Sequence, residues 1–383
     1  MEWFGPPKPG LPDKSAPINQ PDISLGNHPY RYQSPSPLLA WHLMRVLAVT
    51  HPVFEQHDAG WGHPERPQRV VAALEGVRNA PVQVEEATAP QVERGLLEKV
   101  HDPAYVDYIE RFCAAGGGRL DPDTAAVPAS WEAAIRAAGA GPMAVERLQE
   151  GSADLAFLSV RPPGHHARPG LAMGFCLFNS VAVTAALLLE QGNRVVIMDW
   201  DVHHGNATEE MFQHEEDLLY ISTHQYPFYP GTGGIVDMTA HPGARTTLDL
   251  PFPVGAAGDV YRAAFHDPIL PVAARFEPDW LLISAGYDAH ADDPLAGLRL
   301  LPSDYAFMAR NLVGLVKPGR TICFLEGGYD PDAITASVTA TLAGAAGLVV
   351  PGEDRRFRSS KLAYATLERV RREAARAWDL GEC

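Results

Sequence analysis

The sequence predicts an α/β fold in three layers: a mostly parallel central β-sheet, helices flanking it, and an active site at the strands' C-terminal ends. Three observations predict it. From Met44 onward short apolar runs alternate with amphipathic ones, the pattern of repeated strand–helix–strand units. Polar, chemically loaded segments follow the apolar runs directly, as expected where parallel strands share one carboxyl edge. The 383 residues, 46% of them hydrophobic, are enough for a large core.

Residues 1–43 are rich in proline and polar residues and carry neither helical nor strand periodicity, so they are expected to form an irregular extension. A natural start at Met44 would make them an upstream addition; an ordered arm on a partner subunit of a homo-oligomer is the alternative. The first strand is expected at 45–50 ("RVLAVT"), followed by a helix at 65–79. A second helix is expected at 131–150, with Ser130 as its N-cap and a bend near Gly141 and Pro142. Strands then fall at 154–160, 195–200, 218–223, 280–285 and 321–326, with helices at 180–190 and 303–316. A charged amphipathic helix near 359–378 closes the chain. No repeat or linker interrupts residues 44–383, which are expected to be one catalytic domain.

The net charge of -16 and pI near 5.3 repel a phosphate backbone, so no direct nucleic-acid partner is expected. Such a field suits cationic substrates, although solubility alone would also explain it. The four cysteines are far apart and form no CxxC pair, which fits a reducing compartment. No apolar run reaches the roughly 18 residues needed to span a bilayer, and no signal peptide opens the chain. The expectation is a cytoplasmic protein without a membrane partner.

Five segments leave the strand ends: "SVRPPGHHARPG", "MDWDVHHGN", "STHQYPFYPGTGG", "SAGYDAHADDPLAG" and "LEGGYD". In extended chain, residues two apart face the same way, so Asp199, Asp201 and His203 share one side and Trp200 and Val202 the other. Asp201 and His203 can then hold one divalent ion, with Asp288 as the third ligand from another strand end. Two carboxylates, one imidazole and an open position suit zinc, and a cation makes burying these acids tolerable. His204 is expected either to support the ligands or to be structural.

The adjacent His165 and His166 supply acid–base machinery. One can act as general base and then acid, while the other needs an orienting carboxylate, for which Asp199 is placed. Tyr329, on a Gly-Gly turn, can donate its hydroxyl to an oxyanion.

These residues resemble the histone deacetylase family, within the arginase and deacetylase fold group, and most of all its class II and bacterial amidohydrolase members. The resemblance runs from about Met44 to about residue 350 through "GHPERPQR", "RPPGHHA", "MGFCLFNSVAV", "DWDVHHGN", "FYPGTG", "SAGYDAHADDPLAG" and "LEGGYD". It implies that Asp201, His203 and Asp288 hold zinc, that His165 with Asp199 acts electrostatically, and that His166 is the general base and acid. It implies that Tyr329 polarises the substrate carbonyl, and that Phe175 and Tyr229 wall an acyl-lysine tunnel, lined also by Gly164 and Gly174. A potassium ion is implied near oxygens of Asp199, Asp201, His203, Ser222 and Thr223. Asn206 stands where class I members carry aspartate, and the gate position is Leu295, as in lysine deacetylases, where an acetylpolyamine-selective member has glutamate.

The expected activity is zinc-dependent removal of acetyl or related acyl groups from lysine side chains of a peptide or protein. An acetylpolyamine or other small acylated amine is the alternative substrate. A binding scaffold without turnover would not need every catalytic role filled, and a two-manganese ureohydrolase would need further carboxylates where Asn206 stands.

Overall fold

The computed structural model describes residues 43–235, 246–353 and 356–378. The extension expected at 1–43 lies outside the described residues apart from Leu43, which is exposed.

The strands are β1 (Arg45–Thr50), β2 (Gln83–Thr88), β3 (Gly118–Arg119), β4 (Ala125–Ala126), β5 (Leu155–Leu158), β6 (Val195–Asp199), β7 (Leu218–Gln225), β8 (Thr247–Phe252), β9 (Trp280–Ala285) and β10 (Thr321–Leu325). Eight of them form one sheet in the order β2-β1-β5-β10-β9-β6-β7-β8. Every neighbouring pair in it is parallel. β3 and β4 form a small antiparallel hairpin apart from it.

All six expected strands form. The sheet gains two members that the apolar pattern does not announce, both at its edges. β2 ("QVEEAT") is largely solvated, and β8 ("TLDLPF") carries Asp249 and Pro251 although every position is buried. Proline is tolerated on an edge strand, where its missing N–H removes no ladder bond. By contrast β6, β7 and β9 are buried at every position and read as continuous apolar runs.

Alternate residues of the strands feed two cores, which is what three layers require. Val46, Phe157, Met198, Leu219 and Ile283 face one core, shared with helices Gln68–Asn79, Pro302–Leu312, Pro331–Ala345 and Lys361–Trp378. Leu47, Leu158, Ile197, Tyr220 and Leu282 face the other, shared with helices Ser130–Gln149 and Ser180–Glu190. The last helix buries Ala363, Leu367, Val370, Ala374 and Trp378, a stripe at helical spacing that packs on β8 and covers that edge.

Some helix details differ from expectation. Ser130 is the first residue of its helix rather than the cap: its hydroxyl accepts from Val127 N at 2.8 Å and lies 2.7 Å from His57 Nδ1. The same helix runs unbroken through Gly141 and Pro142. At Gly141 a Cβ would collide with the Thr184 hydroxyl, so glycine lets the two helices approach. The helix expected at 65–79 starts only at Gln68, because Glu65 is wholly buried and turned into the protein.

The five polar segments leave β5, β10, β9, β6 and β7, five adjacent strands at the centre of the sheet. Asp199 is in register with Ser222 on β7 and Ser284 on β9, so the carboxyl ends are level. Among the described residues no helix is long and apolar enough to cross a membrane.

Candidate active site

β6 ends at Asp199, yet the two-residue alternation carries into the bend beyond it. Trp200 and Val202 enter the core, while Asp201 and His203 turn to the carboxyl edge. There they meet Asp288, and ligand atoms of the three lie within 4.8 Å of one another. His203 Nδ1 is 3.1 Å from Asp201 Oδ1 and 3.2 Å from Asp288 Oδ2. Backbone donors fix the other oxygens: Gly327 N donates to Asp201 Oδ2 at 2.7 Å, and Val202 N to Asp288 Oδ1 at 2.8 Å. At Gly327 a Cβ would collide with the carboxylates of both Asp288 and Asp201, so the cradle requires glycine.

This set fits a divalent cation. Asp288 Oδ2 is buried and faces His203 Nδ1 at 3.2 Å without a well-aligned hydrogen bond. Burial pulls the His203 pKa down, but bonds to Asp201 and Asp288 outweigh it and push it up to about 10, the mark of a strongly negative pocket. Phe228 stacks on His203 with ring centroids 5.2 Å apart and fixes the imidazole plane. Sequence reasoning passed over Phe228; its only signal was the aromatic pair it forms with Tyr229.

The two loop histidines sit beside this cluster, their ring centroids 4.0 Å apart, in different environments. His165 Nδ1 lies 3.0 Å from Asp199 Oδ2, and its Nε2 3.9 Å from Asp201 Oδ1. Burial lowers its pKa, but the attraction of Asp199 and Asp201 prevails and raises it to about 10. His166 instead places Nδ1 2.8 Å from Asn206 Oδ1. Burial and the charge of His165 and His203 hold its pKa well below the usual imidazole range. The two imidazoles are thus shifted in opposite directions, the kind of divergence that lets neighbouring groups take different acid–base roles.

Tyr329 is buried, and burial keeps its phenol pKa well above the ordinary value even against the nearby Arg69, so it remains a donor. The turn that carries it is held by residues the sequence reading left without a role. Arg69 donates to the carbonyls of Gly328 and Glu326 and lies 4.9 Å over the Tyr329 ring. Glu65 is sandwiched between Arg69 Nη1 at 2.7 Å and Arg161 Nη2 at 2.6 Å, all three wholly buried. Glu326 Oε2 accepts from Gly164 N at 2.7 Å and His165 N at 3.2 Å, which sets the histidine loop on the same frame. Charge clustering in "HPERPQR" was the available signal, but such residues ordinarily read as solvated.

The aromatic residues border these groups. Phe175 has its ring centroid 5.9 Å from that of Tyr329, and Tyr229 lies 5.2 Å from His166 and 6.1 Å from His203. Phe175 occupies the left-handed region at φ 67, after Gly174 at φ 56. Such strain in a residue other than glycine is a feature of functional sites. A Cβ on Gly174 would run into the His166 ring. Gly164 is packed against the backbone of Phe178 and Ser180. Tyr229 and Leu295 are part-exposed, at 37% and 38%.

A family model described as the histone deacetylase domain matches residues 63–345. The chain belongs to the histone deacetylase family. It is 38% identical to the uncharacterized protein slr0245 of Synechocystis over 78% of this chain and 98% of that one. It is 35% identical to a histone deacetylase-like amidohydrolase of Pseudomonas aeruginosa over 76% of this chain and 80% of the relative. The crystal structure of the HDA15 HD domain superimposes with a TM-score of 0.81 at 32% identity, covering 88% of this chain and 96% of that one. Family and fold agree with the three-layer architecture, so the chain is a deacetylase-family hydrolase of the arginase and deacetylase fold.

Two further expected residues lie near the cluster. Ser222 and Thr223 are buried within β7, with Ser222 Oγ 2.8 Å from His224 Nδ1. His204 lies in a second group of possible ligands, its Nε2 3.1 Å from Glu209 Oε2 and 3.5 Å from Asp249 Oδ1. Burial opposes charging of His204, but Asp249 and Glu209 outweigh it and lift its pKa to about 10.

Proposed function

We propose that the chain is a zinc-dependent amidohydrolase that removes acetyl or related acyl groups from lysine side chains. The observation that carries this reading is the convergence of three ligands beside two histidines with different partners, His165 on the Asp199 carboxylate and His166 on the Asn206 amide. Asp201, His203 and Asp288 would hold the zinc. A zinc ion there supplies Lewis acidity toward the amide carbonyl and lowers the pKa of water toward about 7.

The remaining chemistry belongs to the chain. His166 donates Nδ1–H to Asn206 and so presents Nε2 as the base that takes a proton from the attacking water. Charged His165, held by Asp199, stabilises the negative charge that develops. The Tyr329 hydroxyl donates to the oxyanion. His166 then returns its proton to the leaving amine, and a carboxylate and a free amine depart.

Phe175 and Tyr229 are read as the walls of the acyl-lysine passage, with Gly164 and Gly174 along it and Leu295 as a neutral gate. Potassium rests on the resemblance, supported by the buried Asp199, Ser222 and Thr223 on adjacent strands next to Asp201 and His203. A cytoplasmic location fits Cys113, Cys176 and Cys323, which are buried and free.

A panel of acyl-lysine peptides and acetylputrescine, assayed with zinc-loaded protein with and without chelator, tests the reading. Chelator-sensitive hydrolysis of the peptides supports it. A strong preference for acetylputrescine would move the substrate to polyamines, and turnover indifferent to chelator would end the zinc assignment.

A further inference from the structure

Two of the active-site loops meet at one buried carboxylate. Asp293 is 7% exposed, whereas the side chain of Asp292 is 50% exposed. Asp293, unlike its neighbour, points inward. Its Oδ2 accepts from the backbone N–H of Tyr329 at 2.7 Å, and its Oδ1 from the N–H of Leu295 at 2.9 Å. The carbonyl of the same Gly328–Tyr329 peptide accepts from Arg69. One peptide plane is thus gripped on both edges, by the Asp293 carboxyl group on its N–H and by the Arg69 guanidinium on its carbonyl, and it is the plane from which the Tyr329 side chain departs.

We propose that Asp293 is a positioning residue: its carboxylate ties the Leu295 loop to the peptide carrying Tyr329, and so sets the phenol hydroxyl against the substrate carbonyl without touching substrate. The inference deepens the amidohydrolase reading and rests on it for the role of Tyr329. Both carboxylate oxygens are needed. An asparagine offers one acceptor and turns an NH₂ toward the other N–H. Misplacement of a catalytic group by about 1 Å can cost about 100-fold in rate.

The test uses the full, zinc-loaded chain and whichever amide the unmodified protein turns over. In Asp293→Asn, kcat is expected to fall about 10- to 100-fold while KM changes less than about threefold and the zinc content stays unchanged. In a Tyr329→Phe background the same replacement is expected to change kcat less than about twofold, because no hydroxyl remains to be placed. An unchanged kcat in the single variant overturns the proposal, and so does an equal fold-loss in both backgrounds. Hydrogen exchange reads the clamp without turnover: Asp293→Asn should speed exchange across residues 326–330 about tenfold and leave 199–204 as they were. Unaltered exchange at 326–330 also overturns the proposal. A parent chain that hydrolyses no amide would defeat the functional reading, while the exchange result would still judge the clamp.

Discussion

The side-chain oxygen of Asn206 lies 2.8 Å from Nδ1 of His166, and this bond decides which imidazole nitrogen is free to act as a base. A base works only when deprotonated, so activity falls as pH drops through its pKa. Here burial, and after it the charge of His165, keep that pKa well below 6.5. Asn206→Asp would place a carboxylate on the imidazole, stabilise its protonated form and raise the pKa by about one unit or more. The acidic limb of the kcat/KM profile is expected to move to higher pH; a limb that stays in place would mean that His166 is not the base.

Removing the Tyr329 hydroxyl should act on rate rather than on metal binding. Tyr329→Phe is expected to lower kcat about 100- to 1,000-fold, the usual worth of an oxyanion donor. Zinc content, measured in parallel, should equal that of the parent. Unchanged turnover would remove Tyr329 from the mechanism.

Gly174 tests the geometry beneath His166. Its φ of 56 already disfavours a side chain, and a Cβ there would meet the His166 ring. Gly174→Ala is expected to cost about 1–2 kcal/mol from backbone conformation alone. Displacement of the base should reduce kcat/KM by about tenfold or more. Denaturant unfolding and steady-state kinetics read the two effects separately.

Glu65 tests the buried frame. Burial would raise its pKa, but Arg161, His57 and Arg69 hold it well below the usual carboxylate range. Glu65→Ala would leave two guanidinium groups buried without their shared partner, at a cost of about 3–5 kcal/mol in unfolding free energy. Because the folded pKa is depressed, this contribution is complete above the unfolded value near about 4.3 and is lost as pH falls through the folded one. The gap between parent and variant should therefore be full at neutral pH and narrow on acidification.

The candidate cluster was legible because its residues sit at short, regular spacings on strand ends, where Asp201 and His203 share a side and His165 and His166 are consecutive. Burial on both sheet faces made β6, β7 and β9 continuous apolar runs, equally plain in sequence. β2 was hidden because a solvated edge strand such as "QVEEAT" needs no apolar face, and β8 because Asp249 and Pro251 interrupt its run. Glu65, Arg69, Arg161 and Asp293 were hidden for a different reason. A charged side chain has no periodic signature of burial, and its role depends on partners as far away as the 259 positions between Arg69 and Gly328.

The central claim is that Asp201, His203 and Asp288 form one cation site, and calorimetric titration of metal-free protein with zinc tests it most directly. The account predicts one zinc bound per chain, with binding abolished in Asp288→Ala. Saturation at two ions per chain, or zinc binding that survives Asp288→Ala unaltered, would contradict it.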